Sequence, residues 1–294
     1  MERLKNRFNV RNFSFIVVLE IVAFILLIIF LIPFYLVIIN SSKTTVALTA
    51  DPLSWPSNWM LLFDNIKYIL GNDTLGYGKA FIHSIIITSS SLVLIGVGSG
   101  MAAWVLVRTK TKLSFFIFML IISGLVIPFQ VVMLPLVRLL SLISDFTNIP
   151  MRDTYHAIIL AYMGFGAPLS VFLFHGFIKS IPMDIEEAAI IDGCSKPQVF
   201  FKVVLPILKP IFVTLLILNG MWIWNDYLLP LLIIGSNGEN TITIPLAIST
   251  FQGTYSVAWD LMLTSVLLAA LPVIILFIFA QKYIIKGMTS GAIK

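Results

Sequence analysis

The sequence predicts an all-α integral membrane protein with six transmembrane helices and both termini in the cytoplasm, and three observations predict it. Of 294 residues, 59% are apolar and only 11% charged, and the mean hydropathy is +1.01; soluble chains carry roughly 25% charged residues. So few charges cannot hold that much apolar surface in water. Six apolar runs reach the length of about 20 residues that a helix needs to cross a hydrocarbon core of roughly 30 Å. Fourteen of the nineteen Lys and Arg fall on one side of these runs and five on the other, and the basic side faces the cytoplasm.

The first run, 14–39, follows Arg3, Lys5, Arg7 and Arg11. It is too long for a secretory signal core of about 7 to 15 residues and lacks a small-residue cleavage site, so it reads as a retained helix. The others are 80–107, 113–137, 154–178, 210–232 and 259–283, each bounded by charges, Gly or Pro. This divides the chain into a cytoplasmic tail (1–13), a six-helix transmembrane domain (14–283) and a second cytoplasmic tail (284–294). Outside, 40–79 carries Trp55, Trp59 and Tyr68, a mixture suited to a structured or interfacial cap, and 241–245 alternates as a short extended segment would. Inside, 179–209 is the long connection.

Several chemistries are absent from the sequence. One cysteine, Cys194, forms no internal disulfide, and three histidines give no Cys/His cluster for zinc. None of His83, His156 and His175 begins a His-Glu-x-x-His motif, and the closest approach to a phosphate-cradling loop, Gly76-Tyr77-Gly78-Lys79-Ala80, lacks the hydroxyl. No metal site or cofactor is predicted. The formal charge of +5 follows from topology and calls for no nucleic acid.

Segment 179–209 reads as two short helices. Pro182 suits a first turn, Asp184, Glu186 and Glu187 place negative charge at the positive dipole end, and Gly193 suits a left-handed stop. Ser195 caps the next helix, Pro197 sits in its first turn, and Leu205-Pro206 leads into the fifth span. Ile185, Ala188, Ala189 and Asp192 share a shallow face, with Glu186 and Ile190 elsewhere. Residue chemistry leaves two readings open: a docking lever for a partner that approaches the alanines and pairs with the acids, or an amphipathic helix in the headgroup layer.

Glu187-Ala188-Ala189, three residues, Gly193, nine residues, Val203, one residue and Leu205-Pro206 together resemble the EAA loop of permease subunits in ATP-binding-cassette importers, with Val203 where Ile is more usual. Residues 222–230, 281–287 with Gly291-Ala292, Asn40-Ser41-Ser42-Lys43, Ile127-Pro128 and Leu134-Pro135 resemble the carbohydrate, maltose-type branch of that family. The resemblance implies the six-helix type I importer permease fold in the cell membrane. It implies a second homologous permease subunit, two ATP-binding-cassette ATPase subunits, an extracytoplasmic solute-binding protein, a sugar-like substrate and alternating access. The loop would dock on an ATPase subunit through Glu186, Glu187, Ala188, Ala189, Asp192 and Gly193, and 235–258 is a candidate contact for the binding protein.

Polar groups at depth are candidates for a translocation path. Trp222, Asn225 and Asp226 are chosen beside Trp224, because aromatic faces stack on sugar rings and amides bond hydroxyls. Asn219 and Gln130 either tie helices together or face the path. Gly96, Gly98, Gly100, Gly164 and Gly166 read as close helix packing, between spans of this chain or against a second subunit. The rival readings are the same importer carrying a polyol or glycerol phosphate, an ion-coupled secondary transporter, and an intramembrane hydrolase through Asp226 and Asp260.

Overall fold

The computed structural model describes residues 2–72, 76–235, 241–253 and 257–292. Among these the fold is helical throughout, apart from one isolated antiparallel bridge between Gln252 and Val257. The helices are α1 (Glu2–Asn40), α2 (Thr45–Ala50), α3 (Met60–Gly71), α4 (Tyr77–Thr109), α5 (Lys112–Ser123), α6 (Phe129–Thr147) and α7 (Tyr155–Ile178). They continue as α8 (Met183–Ile191), α9 (Lys196–Val199), a π-helical turn (Phe200–Val204), α10 (Leu205–Ile207), α11 (Lys209–Asn225), α12 (Leu228–Ile233), α13 (Ile244–Ser249) and α14 (Trp259–Ala292). Among the described residues, five helices are long and apolar enough to cross a membrane, and a sixth span is reached if the bent pair Lys196–Ile207 and Lys209–Asn225 counts as one.

Two compact units divide the chain. The first comprises Met1–Gly71 and Phe251–Leu268. The apolar part of α1, Phe15–Asn40, is 26 residues long, about 39 Å at 1.5 Å per residue, enough to span the hydrocarbon core. Its apolar side chains from Phe15 to Phe34 are largely exposed, as a lipid-facing helix requires. Where α1 ends, Asn40, Ser41, Ser42 and Lys43 are buried and form a polar joint. The Ser41 carbonyl accepts from Asn65 Nδ2 at 3.2 Å and Thr264 Oγ1 at 3.3 Å, and Lys43 Nζ donates to the Asp51 carbonyl at 3.0 Å. Asp260, weighed above as half of an acid pair, accepts from Thr45 Oγ1 at 2.8 Å and does structural work.

The second unit, Asn72–Thr250 with Ala269–Lys294, is built on α4 against α7. Small residues permit the approach. A Cβ on Gly166 of α7 would lie 2.6 Å from Ile95 Cδ1 and 2.9 Å from Asn219 Oδ1, and one on Gly96 of α4 would lie 2.8 Å from the Phe212 ring. One apolar cluster gathers Ile87, Ile95, Ile158, Tyr162, Ile223 and Leu246; a second gathers Ala103, Phe118, Phe174, Phe200, Leu208 and Leu215. Asn219 is buried among these helices and donates to Ser170 Oγ at 3.2 Å and the Leu215 carbonyl at 3.0 Å, which decides it as a tie between α7 and α11. Gln130 is exposed.

Three local expectations change. The run 113–137 is interrupted: α5 stops at Gly124 and α6 starts after Pro128, because Ile127 before a proline is pushed out of the helical region and Pro128 lacks an N–H. The 12 residues of α5 reach only about 18 Å. The run 210–232 breaks after Asn225, where Asp226 is extended (φ −75°, ψ 126°) and its carboxylate accepts from the Leu228 amide at 3.1 Å. Instead of an extended 241–245, α13 begins at Ile244 behind an extended Thr243, with Pro245 in the first turn where its missing N–H costs nothing. The rest of the candidate binding-protein loop at 236–240 and 254–256 lies outside the described residues.

Candidate functional site

The segment between α7 and α11 forms an arm. Pro182 stands at the N-terminus of α8, Asp184 and Glu186 occupy its first turn, and Gly193 ends it at φ +87°, a conformation that favours glycine. The Gly193 amide donates to the Ile190 carbonyl at 3.0 Å and the Cys194 amide to Ala189 at 3.0 Å, closing the last turn. Ser195 and Gln198 form a reciprocal capping box at the start of α9. The π-helical turn and α10 then carry the chain to α11 through a bend of 78°. Phe200, Val204 and Leu208 are fully buried, so the base of the arm is anchored in the second apolar cluster.

The six candidate coupling residues divide by exposure. Glu187, Ala188, Asp192 and Gly193 are exposed and Ala189 is half-buried. Glu186 is buried, at 4% exposure. Its Oε1 accepts from Arg108 Nε at 3.0 Å and Nη2 at 2.7 Å, its Oε2 accepts from Trp104 Nε1 at 2.9 Å, and Arg108 Nη2 also donates to the Ile181 carbonyl at 3.1 Å. One helical step from Glu187 therefore points the carboxylate back at α4. Ile185, Ile190 and Ile191 of α8 stay exposed, Ile191 at 85%. An open cleft of about 400 Å³ beside the pair is lined by Trp104, Arg108, Met183, Ile190 and Lys196 among others.

Sequence reasoning missed Arg108 and Trp104. Arg108 entered only as a topological charge. The available signal was their spacing of one turn, which puts both on one face of α4 at its Arg108 end.

At the other end of α11, Trp222 is exposed at 40% and meets the buried Tyr162 edge-on at 5.4 Å. Tyr162 Oη donates to Asp226 Oδ2 at 3.1 Å. The structure thus brings Trp222 and Asp226 together around a tyrosine that sequence reading left out, while Asn225 is exposed and donates to the Met221 carbonyl at 2.8 Å. Trp224 points elsewhere. It is buried and donates to the Ala269 carbonyl at 3.0 Å, one turn before Pro272, where proline loosens the backbone ladder of α14.

The family described as the binding-protein-dependent transport system inner membrane component matches residues 93–290. The chain belongs to this family. It is an integral membrane transport component rather than a catalytic one, as the run from Glu187 to Pro206 implied. Among similar proteins, the probable starch degradation products transport system permease protein AmyC of Thermoanaerobacterium thermosulfurigenes is 40% identical over 89% of this chain and 91% of its own. The melibiose/raffinose/stachyose import permease protein MelC of Bacillus subtilis is 35% identical over 90% and 91%. The multiple sugar-binding transport system permease protein MsmG of Streptococcus mutans is 32% identical over 91% and 93%. A solved bacterial ABC transporter involved in import of the acidic polysaccharide alginate shares the fold: TM-score 0.71 at 20% identity, covering 90% of this permease and 96% of that chain.

Proposed function

We propose that this permease carries a sugar or oligosaccharide, delivered by an extracytoplasmic binding protein, through a path shared with a second homologous permease subunit. Two separate ATPase subunits drive it. The observation that carries the reading is the exposed, alanine-bearing α8 on an arm anchored in the helical core, in a chain whose relatives are named as sugar permeases. In this reading the chain crosses the membrane six times between cytoplasmic tails 1–13 and 284–294, with 14–283 as the transmembrane domain. Glu187, Ala188, Ala189, Asp192 and Gly193 meet the ATPase and Glu186 braces the arm from behind. Movement of the arm, passed through the bend at Leu208 into α11, alternates access to the path.

Trp222, Asn225 and Asp226 face the solute in this account, and Tyr162 holds Asp226 in place. Taking the about 0.5–1.5 kcal/mol of an aromatic pair as the scale for stacking on a sugar ring, Trp222→Ala raises the half-saturating solute concentration about twofold to tenfold. Uptake assays across a sugar panel check this, and unchanged uptake and substrate range in Asn225→Ala and Asp226→Ala remove both residues from the path. The test of the whole reading is ATP hydrolysis by the assembled complex with its binding protein. Stimulation by maltotriose, raffinose or another sugar supports it; stimulation only by a polyol, glycerol phosphate or another polar solute contradicts the cargo.

A further inference from the structure

The arm raises a mechanical question. α8 has nine residues, several of its apolar side chains are exposed, and besides its chain connections it packs on α9 and the π-helical turn, with Ala189 against the second apolar cluster. Yet its Glu186 carboxylate, with the side chain at 5% exposure, is held by the Arg108 guanidinium and the Trp104 indole, from a helix 78 residues away in sequence. The guanidinium also ties down the Ile181 carbonyl at the approach to α8. These contacts fix α8 at Glu186 and the approach to it at Ile181, and both lead to α4.

What α4 touches gives the contact its consequence. It is 33 residues long, about 50 Å, and is straddled by both apolar clusters. One turn before Trp104, Gly100 lies against Phe200 and Phe174, which set the base of the arm; near the far end, Ser84 Oγ accepts from the Ile244 amide at 2.9 Å, at the start of α13. The same helix thus holds α8 at one end and α13 at the other.

We infer that Trp104, Arg108 and Glu186 form a latch that makes α8 and α4 one rigid body, so that displacement of α8 is delivered directly to α4 and through it to α13, as well as along the chain to α11. The three are positioning residues. That α8 is displaced by an ATPase rests on the proposed function; the rigid link itself does not.

The test uses the assembled importer in nanodiscs, with Cys194→Ser and spin labels on Thr109→Cys and Ile191→Cys, both exposed in the native chain. Electron–electron resonance distances are taken without nucleotide and after trapping with ATP and vanadate. The latch requires the same distance in both states and, in Glu186→Gln, a broadened distance that becomes nucleotide-dependent. A shift above about 2 Å between states in the chain with the native latch, the scale of an ordinary helix adjustment, overturns it. So does an unchanged distribution in Glu186→Gln. Should that variant fail to assemble, the comparison in the chain with the native latch decides alone. A parallel chain with Ala188→Cys reports crosslinking to the ATPase: lost crosslinks with an invariant distance refute the coupling role and leave the latch standing, whereas retained crosslinks with a moving distance refute the latch alone.

Discussion

Glu186→Ala is expected to destabilise the permease by about 1–3 kcal/mol, the usual cost of leaving a largely buried donor without its partner. The variant leaves the Arg108 guanidinium, whose side chain is 15% exposed, without its carboxylate and strips the Trp104 indole N–H of its acceptor. Both groups border the open cleft, so water relieves part of the loss, and the desolvation of the donors that stay buried supplies the rest. Glu187→Ala is the matched control: the side chain is one residue away, equally acidic and exposed, and its loss stays within about 0.5 kcal/mol. Thermal unfolding of the two purified variants in detergent, followed by tryptophan fluorescence, separates them. Equal midpoints would mean that the Glu186 contacts hold nothing.

Gly166→Val is expected to cost about 1–3 kcal/mol by overpacking and to damage assembly of the second unit more than any substitution in an exposed span. The first added carbon already meets Ile95 Cδ1 and Asn219 Oδ1 inside 3.0 Å, and valine adds two further methyls to that contact. Ile95 can turn at some cost; Asn219 cannot move without breaking its bonds to Ser170 and Leu215. The neighbouring Gly164 supplies the contrast, since a Cβ there meets nothing within 4 Å, and Gly164→Val is expected to leave the yield of folded protein unchanged. Monodispersity on size-exclusion chromatography reads both.

Where a single physical signal decides, the sequence was readable. Runs of apolar residues located α4 and α7 to within a few positions, because a lipid-facing or packed helix must be apolar for its whole length. Gly193 was readable because a left-handed stop admits few residues. The breaks at Gly124–Pro128 and at Asp226 were hidden inside continuous apolar text, where hydropathy outweighs the punctuation. The least legible feature was the direction of Glu186: among four acids in nine positions, nothing local says which one turns inward. That choice is made by Arg108 and Trp104, 78 and 82 residues away in sequence, and only the packing of α4 beside α8 brings them together. Tyr162 was passed over for the same reason, as an apolar-run residue whose hydroxyl finds Asp226 only in three dimensions.

The most direct measurement on the central claim is crosslinking from α8 in the working complex. With Cys194→Ser and a single new cysteine at Ala188 or Ile191, both exposed, a short bifunctional thiol reagent is expected to join the permease to its ATPase subunit, whereas a cysteine at the exposed Ile82 near the other end of α4 is expected to give no such product. If Ala188 and Ile191 never reach the ATPase in a complex that hydrolyses ATP in response to its solute, α8 is not where the energy of hydrolysis enters this chain.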